Sequence, residues 1–554
     1  MNHADGGTGF STFRLKSPVD ASFNAESRAA DLATMGRTPL DLLVIGGGIT
    51  GAGVARDAAM RGLTVALVDK GDFAAGTSSV SSRLIHGGLR YLELYDFRLV
   101  FEASRERRIL LRIAPHLVWP RSFLFPVFRG ARVPAWKLRA GLWLYDALSL
   151  FRNVSRHQWL GKRALLRAEP QLRSGDLKGG ARYWDAQCDD ARLTLANARD
   201  ARRHGALVAN YARVDRLERA EGRVRGARVT DVLTGATYAL QAHVVVNATG
   251  PWSDATREDG ADYLRPTKGV HVMVPGHRLG NTEAITLTSP VDGRVMVVLP
   301  WGEFSYIGTT DTDWPEQPDL INVMHEDIVY LLRSANAIFP NARLTEDDVL
   351  SNWTGLRQLL RDNTDDPPGK VSREHRIIVD NGQVSVMGGK LTTYRSMAAD
   401  VVDHATRELA RLVGRQPPKR APTDQLPLPG GETPEWEPFR REALAEGIPP
   451  KTVERWLRLY GTEIPALVKT ARGQADLMAP IVAGHPALMA EVVHACRREM
   501  AMRLRDILVR RTHVHYEVRD NARAEAARVA DVAGDILGWD AARRDAELTY
   551  YRER

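Results

Sequence analysis

Cysteine is scarce in this chain, and long apolar runs are missing. Cys188 and Cys496 are the only two cysteines in 554 residues, and they lie far apart and outside any CxxC spacing. This argues against a disulfide framework and a zinc site, so we predict no metal centre and expect a reducing cytoplasm as the location. No apolar run reaches the roughly 18 residues that a membrane-spanning helix needs. The 44% content of apolar residues is ample for the cores of three or so domains.

The charge balance is only mildly basic. Lysine and arginine number 76 against 68 acidic residues, a formal net charge of +8, carried by scattered arginines without a polybasic block. Such a surface favours acidic partners, phosphorylated substrates among them, and with no recognition motif in sight we predict no nucleic-acid partner. The first 38 residues lack the basic start and apolar centre of a signal peptide. We predict that residues 1–38 are a disordered tail.

A complete strand, turn, helix and strand unit begins at Asp41. The apolar run of residues 42–45 is typical of a strand buried on both faces of a parallel sheet. Three glycines then fill the pattern GxGxxG: Gly46, Gly48 and Gly51. The first permits a tight turn, the second lets the backbone approach a pyrophosphate, and the third lets the helix pack on the strand. A second apolar strand ends in Asp69, whose carboxylate suits a ribose, so the unit predicts a dinucleotide site.

Two later motifs favour FAD over NAD. Two-domain FAD proteins resemble this layout, because they return to the nucleotide through an apolar strand ending in Ala-Thr-Gly and through a glycine pair at a helix N-terminus. The matching residues are Ala248, Thr249 and Gly250, then Gly388 and Gly389. A helix N-terminus beside the isoalloxazine ring stabilises negative charge at its pyrimidine end after hydride uptake. An NAD enzyme has no need of that element, so we predict FAD.

The predicted fold class is α/β, with a Rossmann-like FAD domain interleaved with a mixed-sheet substrate domain and a C-terminal helical cap domain. The FAD domain is assigned to residues 39–100, 181–268 and 350–412, and the substrate domain to residues 101–180 and 269–349. A linker rich in proline and glycine, residues 413–438, leads to the helical domain, residues 439–554. Residues 97–113 predict a helix that Pro115 closes. One apolar stripe at helical spacing marks the C-terminal domain: Met489, Val492, Val493, Cys496, Met500, Leu504, Ile507 and Leu508.

Several long motifs follow one another in a distinctive order. The most specific is TSSVSSRLIHGGLRYLE, residues 77–93. The others are DDARLTLANA (189–198), NATGPW (247–252), KGVHVMVP (268–275), IGTTDTD (307–313) and GGKLTTYR (388–395). From Asp41 to at least Arg395 the chain thereby resembles the FAD-dependent glycerol-3-phosphate dehydrogenases, and its helical C-terminal domain is similar to the cap of that family. One departure is Gly355-Leu356-Arg357-Gln358, where the family usually has Gly-Val-Arg-Pro; without the proline, the backbone around Arg357 is less restrained.

The resemblance implies an enzyme that oxidises sn-glycerol 3-phosphate to dihydroxyacetone phosphate. Hydride would pass from C2 to FAD, and electrons would leave to a membrane quinone. Besides the glycine motifs, the resemblance assigns these residues to FAD: Thr77, Ser78, Ser79, Ser82, His86, Gly87, Gly88, Lys390, Leu391 and Thr392. It assigns the substrate phosphate to Arg90, Tyr91, Arg373 and Lys390, because the guanidinium fork grips two oxygens at once. A homodimer is left open.

His271 is the candidate general base. It is the residue inside a matched motif whose unperturbed pKa suits proton abstraction. Arg357 does not readily lose a proton, so its predicted task is to stabilise the developing alkoxide. Two alternatives stay open: His271 is a structural histidine of its strand, or the base is a water held by Arg357. The neighbouring residues Thr309, Thr310 and Asp311 either line the pocket or end a strand.

The sequence is also compatible with two other functions, and one segment indicates a location at a membrane. An oxidase would return the electrons to O2 and form peroxide, and a non-catalytic or tRNA-modifying FAD protein would use the flavin differently. The segment Ser122 to Trp159 mixes aromatics and leucines with arginines, the composition of an interfacial membrane patch. We therefore expect a peripheral protein on the anionic inner face of the cell membrane. The alternative is that this segment is a helical wall of the substrate domain.

Overall fold

The computed structural model describes residues 22–88, 95–150, 153–257, 260–361, 375–414, 416 and 418–553. The strands are β1 (Leu40–Ile45), β2 (Val65–Val68), β3 (Leu84–Ile85), β4 (Val118–Phe128), β5 (Gln158–Gly161), β6 (Leu177–Cys188), β7 (Leu207–Ala209), β8 (Ala212–Ala220), β9 (Arg223–Asp231), β10 (Thr237–Asn247), β11 (Leu264–Pro275), β12 (Ala284–Thr288), β13 (Val295–Trp301), β14 (Phe304–Gly308), β15 (Thr312–Asp313), β16 (Ser351–Leu360), β17 (His375–Asp380) and β18 (Gln383–Gly388).

The helices are α1 (Ala25–Met35), α2 (Ile49–Met60), α3 (Phe97–Ile113), α4 (Ala135–Leu148), α5 (Lys162–Ala168), α6 (Asp190–Arg203), α7 (Gly276–Leu279), α8 (His325–Ile338), α9 (Tyr394–Val413), α10 (Glu437–Ala445), α11 (Pro450–Tyr460), α12 (Ile464–Ala471), α13 (Ala475–Met478), α14 (Met489–Arg498), α15 (Val514–Glu517), α16 (Ala526–Leu537) and α17 (Ala541–Glu553). A π-helical segment, Asp506–Arg511, lies between α14 and α15. Helix α3 has the bounds that the sequence predicts, since its apolar positions recur at helical spacing up to the residues before Pro115.

The first sheet has the strand order β17-β18-β10-β1-β2-β7. Its strands β18, β10, β1, β2 and β7 run parallel, and all six residues of β1 are buried. Helices α2, α6 and α9 share a core on one face, and α1 with the ribbon β8-β9 covers the other. Coverage of both faces explains why residues 42–45 of β1 form a continuous apolar run without alternation.

The second sheet has the order β15-β11-β14-β13-β12-β4-β6-β3, with β16 paired to β11 and β5 to β6. Helices α5 and α8 share a core with one face. The other face of this sheet shares a core with the C-terminal domain. In that core, Met273 of β11 and Trp353 of β16 pack with residues of α14, α15 and α16. The C-terminal domain therefore packs directly on the sheet that carries His271.

The N-terminal prediction is wrong for residues 25–35, which form α1. Asn24 caps the helix by accepting a bond from the Ser27 amide at 2.9 Å, and the Ser27 hydroxyl accepts from the Asn24 amide. Leu32 and Met35 are buried against the first sheet. Arg28 and Asp31 are buried ion-pair partners of Asp231 and Arg202. These partners lie about 170 or more residues further along the chain, beyond the reach of local composition.

Three predicted domain boundaries and the C-terminal stripe are corrected. Residues 181–188, 264–268 and 351–360 were assigned to the FAD domain, but they belong to β6, β11 and β16 of the second sheet. Residues of the linker are docked, since the Leu428 amide donates to the Ile113 carbonyl. The eight stripe residues are all buried, but they occupy two separate segments. The break falls at Met500, whose φ of +48° is in the left-handed region that ends a helix.

Buried ion pairs connect the C-terminal domain to the first sheet and its helices. Asp72 accepts bonds from Arg510 and Arg511, with the Arg511 Nη1–Asp72 Oδ2 distance at 2.7 Å. Arg192 of α6 pairs with Glu499, and Asp189 with His513 at 2.6 Å. The arginines hold the pKa of Asp72 below its usual value despite its burial. Removal of one partner would leave an uncompensated buried charge.

We predict that Arg511→Met lowers the free energy of unfolding by about 3–5 kcal/mol, because Asp72 loses half of its charge compensation. Lys451→Met is the matched control, since its ion pair with Glu303 is 73% and 70% exposed. The control change should stay within about 0.5 kcal/mol. Urea unfolding followed by tryptophan fluorescence measures both. Equal midpoints for the two variants would show that the buried network does not stabilise the domain contact.

Candidate active site

The glycine turn between β1 and α2 is closed by contacts that only glycine allows. Gly46 has a φ of +106°, and a Cβ there would lie 2.5 Å from the Ala248 carbonyl oxygen. A Cβ on Gly51 would overlap the Gly46 carbonyl oxygen, so α2 can pack this closely only with glycine. Gly48 is the N-cap of α2. The N-terminus of α2 is thus placed to receive a pyrophosphate.

Asp69 directly follows β2 and is fixed by the backbone of the same turn. Its Oδ2 accepts from the Gly47 amide at 2.6 Å, and its Oδ1 accepts from the Gly71 amide at 2.7 Å. Burial raises the pKa of Asp69, against the two backbone hydrogen bonds that favour its charged form. Each carboxylate oxygen retains a second lone pair for a ribose hydroxyl. The residues therefore fit the adenosine half of FAD.

A cavity of about 1610 Å³ connects the turn to the second sheet. Most of the predicted cofactor residues line it: Gly46, Gly48, Asp69, Thr77, Ser78, Ser82, His86, Ala248, Thr249, Gly250, Gly388, Gly389, Lys390, Leu391 and Thr392. His271 and Arg357 line the same cavity. The structure thus brings together residues from both sheets that are up to about 340 positions apart in the chain.

Other predicted residues lie elsewhere. Gly51, Ser79, Gly87 and Gly88 do not line the cavity. A Cβ on Gly87 would meet the Ser104 hydroxyl at 2.7 Å and also overlap Tyr145, so this glycine serves close packing on α3 and α4. Arg90, Tyr91 and Arg373, the predicted phosphate residues besides Lys390, lie outside the described residues.

The late glycine pair stands where the sequence predicts it, between a strand and a helix. Gly388 ends β18, and Gly389 has a φ of +89°. The chain then forms a short 3₁₀ turn, Leu391–Thr393, and continues as α9. The Thr392 hydroxyl accepts from the His86 amide at 3.2 Å, which joins this turn to the predicted flavin segment. Both segments therefore face one cavity in fixed relation.

His271 lies on β11, between β14 and β16, and is 2% exposed. Its ring stacks on Trp353, with centroids 5.1 Å apart and planes 10° apart. Its Nε2 is 2.9 Å from the Ser82 hydroxyl oxygen, and its Nδ1 has no hydrogen-bond partner among the described residues. Gly308 lies opposite in the ladder, and any Cβ there would overlap the imidazole. Burial, and then the positive charges of Arg357 and Arg83, lower the pKa of His271 well below its usual value.

Arg357 lies on β16 and not on a loop. It is paired in register with Thr267, and Gln358 is paired with Pro266, so the ladder fixes the backbone that the missing proline was expected to leave less restrained. Its Nη2 donates to the Thr309 hydroxyl at 3.0 Å, and its Nη1 lies 3.2 Å from Asp311 Oδ1. Thr309, Thr310 and Asp311 follow the end of β14, are not among the residues that line the cavity, and bind the guanidinium.

Arg83 does not line the cavity but lies buried beside Trp353, the ring on which His271 stacks; the sequence did not single it out. It is 1% exposed and lies against the rings of Trp301 and Trp353, at 4.4 and 4.7 Å from their centroids. Its Nε is 3.9 Å from Asp190 and has no hydrogen-bond partner in the described part of the chain. Its backbone φ of +52° is strained for a residue with a side chain. The signal in the sequence was its place inside the motif of residues 77–93.

Comparisons with known proteins agree with this geometry. A family model described as FAD dependent oxidoreductase matches residues 41–395, and one described as C-terminal domain of alpha-glycerophosphate oxidase matches residues 421–544. The chain is 40% identical to glycerol-3-phosphate dehydrogenase of Mycobacterium leprae, over 96% of this chain and 91% of that protein. It is 34% identical to aerobic glycerol-3-phosphate dehydrogenase of Bacillus subtilis, over 94% and 96%. The structure of glycerol-3-phosphate dehydrogenase from Bacillus halodurans complexed with FAD has 31% identity, a TM-score of 0.79 and coverage of 96% and 97%.

The parallel sheet with its glycine turn, the second mixed sheet and the shared cavity define a two-domain FAD-dependent oxidoreductase. The predicted fold class and the predicted cofactor are confirmed. The chain belongs to the family of FAD-dependent glycerol-3-phosphate dehydrogenases.

Proposed function

We propose that the protein oxidises sn-glycerol 3-phosphate at C2 to dihydroxyacetone phosphate and passes the electrons to a membrane quinone. The observation that carries the proposal is the placement of His271 and Arg357 on adjacent strands, both facing the cavity that the FAD motifs line. The relatives named above are glycerol-3-phosphate dehydrogenases, which supports the substrate. Bound FAD would supply the hydride acceptor.

In this proposal, His271 accepts the proton of the C2 hydroxyl. The imidazole lines the cavity, and its Nε2 is 2.9 Å from the Ser82 hydroxyl oxygen, so Ser82 orients the ring for that step. The lowered pKa keeps the imidazole neutral, and so able to accept a proton, at neutral pH. Arg357 stabilises the negative charge that develops on the C2 oxygen as the proton leaves. Its own position is fixed by Thr309 and Asp311, so little reorganisation is needed.

The substrate phosphate is assigned to cationic side chains. Lys390 lines the cavity; it follows the late glycine pair and directly precedes the short 3₁₀ turn Leu391–Thr393. Arg90, Tyr91 and Arg373 complete the proposed set on the strength of the sequence motifs alone.

Anaerobic mixing of the purified holoenzyme with glycerol 3-phosphate tests the substrate. We expect bleaching of the bound flavin with glycerol 3-phosphate and none with an equal concentration of glycerol, since glycerol lacks the phosphate that the cationic residues bind. A flavin that stays oxidised with glycerol 3-phosphate would overturn the proposal and favour the tRNA-modifying or non-catalytic alternative. Reoxidation of the bleached enzyme by a quinone analogue, compared with air and peroxide formation, separates the dehydrogenase from the oxidase.

An exposed aromatic patch supports contact with a membrane. We define the patch as Trp136 and Trp143 of α4, which are 72% and 63% exposed. Lys137 and Arg139 lie beside them on α4, where they suit anionic lipid. Phe125, although it lies in the segment Ser122 to Trp159, does not belong to the patch, because it is 8% exposed and packs in the core. Among the described residues, no helix combines the length and apolarity needed to cross a bilayer.

We predict that the double change of Trp136 and Trp143 to Glu reduces binding to anionic liposomes about tenfold or more, because two exposed indoles are lost from the bilayer interface and two negative charges are added. Sedimentation with phosphatidylglycerol vesicles at low salt measures it. Leu320→Glu is the control, since Leu320 is 57% exposed and lies outside the patch. If the wild type does not bind the vesicles at low salt, or if Leu320→Glu loses binding to the same extent, the patch does not hold the protein on the membrane.

A further inference from the structure

The large cavity does not end at the proposed active site. It continues between the 69–82 segment and the C-terminal domain, where it is lined by a group of cationic and aromatic side chains: Arg503, Arg505, Arg510, His515, Tyr516, Arg523 and Tyr550. None of these residues belongs to a motif of the sequence analysis, and the proposed reaction uses none of them. The positive charge of this part of the cavity therefore has no role in the proposed reaction.

Arg505 is the central observation. Arg505 is partly buried and lines the cavity. Within the described part of the chain, its buried Nη1 has no hydrogen-bond partner and the side chain makes no ion pair. Burial and then the positive charge of Arg510 lower its pKa. Buried guanidinium groups are normally paired, because an uncompensated charge out of water is costly. Because Arg505 lines the cavity, an anion that enters the cavity would supply the missing counter-charge.

The acidic residues nearby are already engaged. Asp72 binds Arg510 and Arg511, and Asp506 binds Arg510 at 2.5 Å and the Tyr211 hydroxyl at 2.6 Å. Glu547 pairs with Arg543 at 2.7 Å. Arg523, exposed at the cavity wall, has no ion pair within the described ranges. Asp520 accepts bonds from the backbone amides of Ala522 and Ala524 and carries one negative charge. Against it stand the two positive charges of Arg505 and Arg523, so an excess of positive charge remains.

His515 lies within the field of both arginines. Burial, Arg505 and Arg523 lower its pKa to about 3, so the ring is neutral at physiological pH. Its Nδ1 is 3.0 Å from the Tyr551 hydroxyl, which leaves Nε2 as the other polar atom of a ring that lines the cavity. A neutral imidazole between two guanidinium groups adds a hydrogen-bonding group without a competing charge.

We propose that this end of the cavity is a second anion site, which binds the oxyanion of inorganic phosphate or of a phosphate monoester through Arg505 and Arg523. Arginine is the suited residue, since its planar fork binds two oxygens of such a group. The site is separate from the reacting centre. Tyr516, which lines this end of the cavity, packs on Trp353 with centroids 5.4 Å apart, and Trp353 in turn stacks on His271, so the ring of Trp353 lies between Tyr516 and the proposed base.

Titration calorimetry of the FAD-loaded protein with inorganic phosphate tests the proposal. We expect two phosphates per chain in wild type, one at the active site and one at the second site. Arg505→Gln combined with Arg523→Gln should lose one of them, with its Kd raised about tenfold or more. The matched control changes Arg497 and Arg498 to Gln, two exposed arginines of α14 in the same domain. The control should bind two phosphates.

The kinetic readout distinguishes this site from the active site. Loss of the second phosphate should leave the KM for glycerol 3-phosphate within about twofold of wild type, since different residues hold the substrate. Titration with glycerol 2-phosphate against phosphate then separates a monoester site from one for the free ion. Unchanged stoichiometry in the double variant overturns the proposal. So does loss of FAD from a folded double variant, because the arginines would then belong to the cofactor site.

Discussion

His271→Ala is expected to slow the reduction of the flavin by glycerol 3-phosphate about a hundredfold or more. The imidazole is the titratable group that lines the cavity from β11 among the described residues, and it is the proposed proton acceptor. Removal of the ring leaves the C2 hydroxyl proton without that acceptor. The effect should fall on the reduction rate measured by anaerobic stopped flow and much less on FAD content, because His271 lies on the second sheet and not in the glycine turn.

The pH dependence gives this prediction its sign. Because the pKa of His271 is lowered well below its usual value, the neutral base persists at mildly acidic pH. The kcat/KM of wild type should therefore hold its plateau below the ordinary histidine pKa of about 6.5 and decline only when the ring is protonated. His271→Ala should lack that acidic limb, and His277→Ala, an exposed histidine six residues further on, should keep it. An acidic limb that survives in His271→Ala would assign the base to a water held by Arg357.

Arg357→Lys is expected to lower the rate of flavin reduction about a hundredfold to a thousandfold. The guanidinium has enough donors to bind Thr309, Thr310 and Asp311 and still present an N–H to the substrate oxygen. A lysine ammonium is a compact point charge on a flexible stem, so it cannot keep that fixed position. The loss should appear in kcat more than in KM, because the charge it stabilises exists only in the transition state.

Arg361→Lys is the matched control for this change. Arg361 follows the end of β16, its side chain is 54% exposed, and it lies 3.7 Å from Asp262 at the surface. We expect its flavin reduction rate to stay within about twofold of wild type. If Arg357→Lys raises KM while the reduction rate is unchanged, Arg357 binds the phosphate in ground and transition states alike and does not act on the C2 oxygen.

The elements that the sequence predicts well are those whose signal lies within a few residues. The glycine turn requires positive φ at Gly46 and close packing at Gly51, and both demands follow from the pattern itself. Helix α3 is fixed by its own apolar period and a following proline. The motif order then leads to the family and to FAD, because motifs record which residues are used even when their spatial contacts are unknown.

Where the sequence fails, distant contacts decide. Residues 25–35 are helical because Arg28 and Asp31 find partners beyond residue 200, and Phe125 is buried because β4 lies between other strands of the second sheet. The sequence placed the residues of β16 in the FAD domain, because no local signal shows which sheet a strand joins. Pairing with β11 assigns them to the second sheet.

The sequence by itself determined the cofactor, the family and the candidate base and arginine. The tertiary structure alone decided what surrounds them: the stack of His271 on Trp353, its bond to Ser82, the fixed guanidinium of Arg357 and the aromatic enclosure of Arg83. The physical reason is that burial, strand register and the field of neighbouring charges depend on segments far apart in the chain. Periodicity and motif spacing record local geometry, whereas the pKa of a buried histidine depends on every charge that folding brings near it.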